Sequence, residues 1–390
     1  MSKYLIFTTQ FYQIGGIERL AVELAIELNR KGADVDLLSQ YTSILHNAND
    51  ASQKINAAGV ERIFYLGLNI KPNFIQFLIA VMRLRKLVKK EGYEAIEVSS
   101  FTPSLLTVLA TWGLDLKIIF GVHDIYDRKR YGGARFYIWR KLLVKSRKIA
   151  FYAISKSAAR GWCSYLQIKE ENIKVISNNI NSEYFLKKRK QPPVREVLNK
   201  IVNIPNSSKV VLFVGRLMHR KGLDIVYDAL KYILVEHDLH LVLVGRHDES
   251  ERPQDKELIR TINVDIKKRL LDDRVHFVGL RNDVVDLMFE ADILLHPARI
   301  EGFGLVLAEA LATGLPIIAS NVDGIPEVLS NTDAVMIDSP SPENIKNAVI
   351  DMLKIENYWT TESIRNRRNS ALRFKPHIRA QELLRLFQAD

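Results

Sequence analysis

Two carboxylates, Glu301 and Glu309, are separated by seven residues in the segment ARIEGFGLVLAEALATGLPIIAS, residues 298–320. Gly302, Phe303 and Gly304 follow the first, and an apolar run beginning at Leu305 carries the second. Gly314 stands where a helix C-terminal glycine belongs, and Pro316 follows as a stop. The spacing therefore predicts a loop holding Glu301 and the glycines, then a helix holding Glu309. A glycine-rich loop at a helix N-terminus offers unpaired N–H groups and a positive dipole end, which suits a phosphate. Carboxylates beside a phosphate would repel it, so their natural partners are hydroxyls of a ribose or hexose. Phosphate and polyol on one loop–helix unit imply a sugar nucleotide.

A second cluster fits the same ligand. In VGRLMHRKGLD, residues 214–224, Gly215 ends an apolar strand pattern and Arg216 and Lys221 follow, before a helical pattern over 223–234. Arg forks two phosphate oxygens and Lys acts as a point charge, so the pair suits a diphosphate. Nearer the N-terminus, Gly15 and Gly16 lie between the first strand pattern and the first helical one, where a phosphate could approach the backbone. His123, with Asp124, ends another strand pattern in FGVHDIYDR, residues 120–128. The chain has neither a Gly-x-Gly-x-x-Gly fingerprint nor a Gly-x-x-x-x-Gly-Lys-Ser/Thr loop, so nucleotide hydrolysis of that kind is unsupported.

These residues need strand ends to position them, and the sequence supplies two series. Strands are predicted at 3–9, 34–39, 60–65, 94–98, 117–121, 149–154 and 173–176. After residue 205 they are predicted at 209–217, 240–246, 275–280, 292–298, 316–320 and 334–338. Helical patterns alternate with them, beginning at 16–31, where Ile17, Leu20, Ala21, Leu24, Ala25 and Leu28 recur at helical spacing. The class is α/β with parallel sheets. Residues 187–206, polar and carrying Pro192, Pro193 and Pro205, have a linker composition. Two Rossmann-like domains facing a central cleft are expected, with ligands at the carboxyl ends of the strands.

Composition sets the outer limits. The chain has 390 residues, 47% of them apolar, and one cysteine, Cys163, which excludes a disulfide framework and a cysteine-based zinc site. Neither a signal peptide nor a membrane-spanning run is expected. The net charge is +15 over residues 1–200 and −4 over residues 201–390. Residues 128–148 hold nine basic residues and no acid, and residues 71–90 hold six and no acid. In both, the cations interleave with apolar and aromatic residues, including Phe74, Phe77, Phe136, Tyr137, Ile138 and Trp139. That composition suits an anionic membrane surface, with a solvated basic face as the plainer alternative.

Taken together, the ordered blocks GGIERLAVELAIELNRKGADV (15–35), VHD (122–124), VISNNINSEYF (175–185), VLFVGRLMHRKGLDIVYDAL (211–230) and the stretch 290–329 resemble retaining glycosyltransferases of family 4, with the GT-B fold. The resemblance implies an acceptor-binding domain over 1–186, a linker over 187–206 and a donor domain over 207–371. A C-terminal helix at about 372–390 would pack back on the first domain. It implies a hexosyltransferase that moves a sugar from a nucleoside-diphosphate sugar to a hydroxyl on a glycan or lipid-linked acceptor, in cell-surface polysaccharide or glycolipid synthesis.

By the same resemblance, Arg216 and Lys221 would hold the diphosphate, with Gly215 and Gly16 allowing close approach. Backbone amides around Gly302, Phe303, Gly304 and Leu305 would contact sugar and phosphate. Glu301 would bind sugar hydroxyls, Glu309 the ribose, and His123 the transferred sugar near its reacting carbon. Neither metal nor cofactor is expected, since the cations and the helix near Gly304 can meet the diphosphate charge. A cytoplasmic location on the inner membrane face, and no nucleic-acid partner, are expected. The chain departs from the family pattern at Asn178-Asn179, at Arg246-His247-Asp248 and at His296. A sugar-nucleotide epimerase or phosphorylase of the same fold, and a non-catalytic basic binder, are the competing readings.

Overall fold

The computed structural model describes residues 2–10, 16–41, 55–56, 59–69, 72–145, 148–187, 189–190, 193–246 and 252–389. These form two units, one of Met1–Asn179 with Pro376–Asp390, the other of Ile180–Lys375.

The first unit is built on a seven-stranded sheet of order β3-β2-β1-β4-β5-β6-β7. Its strands are β1 (Lys3–Thr8), β2 (Asp34–Tyr41), β3 (Ile63–Leu68), β4 (Ala95–Val98), β5 (Lys117–Val122), β6 (Ile149–Ala153) and β7 (Ile173–Val175). All pairings are parallel. Numbering only helices of seven residues or more, those of this stretch are α1 (Gly16–Arg30), α2 (Phe74–Glu91), α3 (Phe101–Ala110), α4 (Ala134–Lys145) and α5 (Lys156–Leu166). Helix α1 buries Leu20, Ala21, Leu24, Ala25 and Leu28, the face that its apolar spacing marks. Helix α2 is fixed at both ends, by a capping box between Asn73 and Gln76 and by Gly92 in the left-handed conformation at φ 68°.

The second unit has a six-stranded parallel sheet of order β10-β9-β8-β11-β12-β13. Its strands are β8 (Lys209–Val214), β9 (Leu239–Val244), β10 (Val275–Gly279), β11 (Ile293–His296), β12 (Ile317–Ser320) and β13 (Val335–Ile337). Its helices are α6 (Leu223–Leu230), α7 (Pro253–Arg269), α8 (Val284–Glu290), α9 (Leu305–Thr313), α10 (Pro342–Lys354) and α11 (Thr361–Ala371). Residues of β8, β9 and β11 pack with α6, α7 and α10 in one apolar core that includes Phe213, Leu230, Leu243, Ile262 and Val349. The last helix, α12 (Pro376–Gln388), belongs to the first unit. Its Phe387 stacks on Tyr4 with ring centroids 4.5 Å apart, and Arg379 donates to the Leu20 carbonyl at 3.0 Å.

The unit boundaries differ from those expected at 186/187 and 371/372. They fall after Asn179 and after Lys375, and the described part of 187–206, the expected linker, lies within the stretch of the second unit. Within that stretch a buried polar anchor ties the chain around Arg195 to the second unit. Arg195 pairs with Asp292 at 2.8 Å, the two side chains being 2% and 1% exposed. Arg195 also donates to the carbonyls of Pro205 and Asn206, each at 3.0 Å. The Glu290 carboxylate accepts the N–H groups of Val197 and Leu198 at 2.9 and 2.8 Å.

Arg195→Ala would leave Asp292 buried with Lys209 Nζ at 3.2 Å and the Val210 N–H at 2.9 Å as partners. Breaking one side of a buried pair costs about 3 kcal/mol. Calorimetry of the variant should show the second unit melting several degrees earlier; an unchanged transition would mean that the anchor is not stabilising.

Candidate functional site

Strand order reverses between β8 and β11, which places the chain segments after both strands side by side at the carboxyl edge of the second sheet. Backbone is tightly packed there. Gly215 and Gly245 follow β8 and β9 with φ of 150° and 152°. A Cβ on Gly245 would lie 1.8 Å from the Gly215 carbonyl oxygen, so only glycine fits. Arg216, the next residue, is exposed and has no hydrogen bond or ion pair among the described residues.

A short turn, His219–Lys221, follows and ends at Gly222, φ 77°. A Cβ on Gly222 would sit 2.1 Å from the Pro297 carbonyl oxygen, which locks this turn against the segment leaving β11. Arg299 from that segment forks Asp224 at 2.8 and 2.6 Å and donates to the His219 carbonyl at 2.6 Å. The result is an ion pair between Lys221 and Glu301.

Glu301 is held from every side. Its N–H donates to Asp323 Oδ2 at 3.0 Å, and its carbonyl accepts the Gly324 N–H at 3.1 Å. His296 Nε2, at the end of β11, lies 3.0 Å from Glu301 Oε2. Burial alone would raise the carboxyl pKa, but Lys221 and His296 outweigh it and hold the group well below the usual carboxylate range. The buried His296 imidazole is itself pushed down by desolvation, against the pull of Glu301.

Gly304, φ 82°, then opens α9, which has no side-chain cap. Its first N–H groups are thus left to a ligand or solvent. Phe303 turns inward, edge-on to Phe374 at 5.4 Å, so this loop offers its backbone and not an aromatic ring. Leu305 begins α9, and Glu309 is buried inside it.

The structure therefore brings Lys221, Glu301 and the α9 N-terminus into one cluster, and Arg216 stands exposed in the loop after β8 that leads to Lys221. His123 is in the first unit, just past β5, with Nε2 at 3.0 Å from Tyr152 Oη. Gly16 opens α1 there, while Gly15 lies outside the described residues, as do His247 and Asp248. Sequence reasoning passed over Tyr152, Asp323 and the Arg299–Asp224 fork. It treated His296 only as a departure from pattern, although a histidine ending an apolar strand is itself a signal of a buried polar partner. Asp34-Val35-Asp36 has an Asp-x-Asp spacing, and Asp36 is already engaged: Arg62 forks it at 3.0 and 2.8 Å and Tyr93 donates at 2.6 Å. Among the described residues no group of three or more His, Cys, Asp or Glu side chains is placed to hold a metal, and no helix is long and apolar enough to cross a membrane.

The two basic segments differ. On α2, Phe74, Ile75 and Met82 are 73%, 67% and 62% exposed, with Lys86, Lys89 and Lys90 exposed further along. On α4 the expected aromatic surface is only partial. Phe136 and Trp139 are 6% and 1% exposed, because they fill a core with Phe101, Phe120 and Trp162, and Trp139 Nε1 donates to Ser104 Oγ at 2.9 Å. Tyr137 and Ile138 remain outside. Lys71 lies outside the described residues, as do the side chains of Arg130, Arg135 and Arg147.

Two family models divide the chain: Glycosyltransferase Family 4 matches residues 14–184 and Glycosyl transferases group 1 matches residues 194–370. An Escherichia coli UDP-Gal:alpha-D-GlcNAc-diphosphoundecaprenol alpha-1,3-galactosyltransferase is 25% identical over 80% of this chain and 77% of its own. A Campylobacter jejuni N,N'-diacetylbacillosaminyl-diphospho-undecaprenol alpha-1,3-N-acetylgalactosaminyltransferase is 25% identical over 86% of this chain and 88% of its own. Among solved structures, HepE of Anabaena in complex with UDP and glucose superposes with a TM-score of 0.80 at 18% identity, covering 99% of each chain, which establishes a common fold.

Glu301 yields a test in acid. A carboxyl held below its ordinary 4.5 stabilises the fold above that pH, and the contribution is lost as pH falls toward the folded value. Between about pH 5 and pH 3, Glu301→Gln should therefore lose less thermal stability than the wild type. Equal slopes in melting temperature against pH would show that Lys221 and His296 do not hold the carboxylate ionised.

Proposed function

The chain belongs to the glycosyltransferases of group 1 and family 4, and from that premise we propose that it transfers a hexose, with retention of configuration, from a nucleoside-diphosphate sugar to a hydroxyl of a glycan or lipid-linked acceptor. The carrying observation is the Lys221–Glu301–His296 cluster at the uncapped start of α9. Cations and free N–H groups for a diphosphate stand next to a fixed carboxylate for hydroxyls, as one ligand with both parts requires. Two relatives named for diphosphoundecaprenol-linked acceptors, matched over most of the chain, support a lipid-linked acceptor and a role in surface-glycan synthesis.

In this reading the bond from the anomeric carbon to the β-phosphate oxygen breaks and a bond to the acceptor oxygen forms. The leaving diphosphate takes the acceptor proton on the same face of the sugar, which preserves configuration. Arg216, Lys221 and the N–H groups of α9 stabilise the charge that grows on the leaving oxygens, in place of a divalent metal. When the diphosphate arrives, Lys221 shifts from Glu301 toward it, and Glu301 accepts sugar hydroxyls while His296 keeps it oriented. Glu309 binds the ribose hydroxyls, and His123 contacts a sugar hydroxyl.

Exposed Phe74, Ile75 and Met82, followed along α2 by Lys86, Lys89 and Lys90, also support docking on an anionic bilayer at the inner face of the membrane. Apolar side chains insert while cations meet lipid headgroups, each worth about 1 kcal/mol near such a surface.

A thermal-shift screen across UDP, GDP, ADP and dTDP sugars should single out one donor, adding about 2.7 kcal/mol of stability at a hundredfold excess over its dissociation constant. With that donor, Arg216→Ala and Lys221→Ala should each lower turnover about a hundredfold; Arg216→Ala should leave the melting temperature without ligand nearly unchanged, while Lys221→Ala should lower it by removing the partner of the buried Glu301. No shift with any donor, or near wild-type transfer by both variants, would sink the assignment.

For the bilayer, co-sedimentation with phosphatidylglycerol vesicles at low salt should exceed that with phosphatidylcholine vesicles and fade as salt rises. It should also fall when Lys86, Lys89 and Lys90 are changed to Glu. Indifference to lipid charge would end the membrane reading and leave the transferase reading standing.

A further inference from the structure

Tyr152 on β6 reaches across β5 to β4. It can do so because Gly121, its register partner on β5, has no side chain: a Cβ there would lie 2.4 Å from Tyr152 Cζ and Oη. The phenol thus arrives beside Glu97, a carboxylate only 2% exposed inside the otherwise apolar strand β4. Tyr152 Oη lies 2.7 Å from Glu97 Oε1, 3.0 Å from His123 Nε2 and 3.3 Å from Arg379 Nη2. Ser99 Oγ donates to the same Glu97 oxygen at 2.5 Å.

The proton count follows from what each group can do. Burial raises the Glu97 carboxyl pKa, against the hydrogen bond from Ser99, the Arg379 charge and the hydrogen bond from Tyr152; with Glu97 ionised, the single Tyr152 proton goes to it across its shortest contact. Arg379 is a donor only, so Oη must accept from it. With its proton spent on Glu97, Oη also accepts from His123, which requires the histidine proton to be on Nε2. His123 Nδ1 is then a bare lone pair, and Nδ1 is buried without a hydrogen-bond partner among the described residues. The opposite assignment would leave a buried N–H donor there without an acceptor, which folded proteins avoid more strictly than an unpaired acceptor. Burial, and secondarily the Arg379 charge, push the imidazole pKa down to about 3, so the ring is neutral near pH 7.

We propose that Glu97, Tyr152 and Arg379 are positioning residues that fix the tautomer of His123, presenting Nδ1 as the acceptor for a hydroxyl of the bound substrate. The proposal rests on the transferase reading for the identity of that hydroxyl, but not for the tautomer. Arg379 ties the C-terminal helix α12 into the device, since its Nη1 also donates to the Leu20 carbonyl at 3.0 Å.

The tautomer can be read directly by 15N NMR of the full-length protein labelled at histidine, without any ligand. His123 should give a pyrrole-type signal at Nε2 and a pyridine-type signal at Nδ1. Tyr152→Phe, which keeps the ring and removes the oxygen, should mix the two forms; His123→Ala identifies the signals. With the donor selected by the thermal screen, Tyr152→Phe should lower kcat at least tenfold with little change in the donor KM. A protonated Nδ1 in the wild type would overturn the proposal whatever the variants do. A fixed Nε2 proton together with unaltered kcat in Tyr152→Phe would overturn the claim that the relay serves substrate. Absence of any donor would count against the transferase reading alone, because the tautomer is measured without one.

Discussion

The close approach of two chain segments at the carboxyl edge of the second sheet is the constraint on which the candidate site depends. Gly222 must lie against the Pro297 carbonyl, and a single methyl group there would force the segments apart. Gly245 lies as tightly against Gly215. Because these contacts are backbone to backbone, no side-chain rearrangement can relieve them, and a substitution would move whole loops. Arg299 reinforces the approach with a two-point fork on Asp224. Lys221 and Glu301 meet only because this docking holds, although eighty positions separate them in the chain.

That meeting creates a poised electrostatic arrangement. Glu301 is buried, which disfavours its charge, yet a lysine and a histidine compensate on one oxygen. An ion pair of this kind is not self-evidently stabilising, because desolvating both partners offsets their attraction. It does keep a carboxylate ionised and oriented at a place where hydroxyls can compete for it, and a lysine that can be drawn to a stronger anion. A diphosphate carries more charge than one carboxylate and can also use the unpaired N–H groups at the start of α9. The ion pair is thus consistent with a resting state that a diphosphate ligand would reorganise.

Much of this was legible in the chain. All thirteen described strands fall within a few residues of their predicted positions, because apolar runs bounded by glycine or polar turns are strong signals in parallel sheets. Gly304 and Gly314 bound α9 as their spacing implies, both with positive φ. What was illegible depended on residues distant in sequence. Nothing in residues 187–206 reveals that Arg195 will bury itself against Asp292, ninety-seven positions on. Nothing in 128–148 separates Trp139, sunk among the rings of Phe101, Phe120 and Trp162, from Tyr137, left outside. Composition reports that aromatic and basic residues alternate; only the helical phase against α3 and α5 decides which side faces the core.

The two units place a histidine in the same chemical predicament and resolve it in opposite directions. In each, the ring lies at or just beyond a strand's carboxyl end, Nε2 meets an oxygen at 3.0 Å, and Nδ1 is buried without a described partner. In the second unit the oxygen belongs to an ionised carboxylate that can only accept, so His296 must be the donor. His296 is 1% exposed, and its Nδ1, like that of His123, has no partner among the described residues. There the histidine serves the carboxylate, fixing Glu301 for its partners. In the first unit the oxygen is a phenol whose proton is already taken by Glu97, so Tyr152 imposes the same tautomer on a ring that is only partly covered. There the oxygen serves the histidine. The same proton placement thus orients an acceptor group in both units, a carboxylate oxygen at Glu301 and an imidazole nitrogen at His123. Acceptors held in place without spare protons are what binding the hydroxyls of a sugar demands.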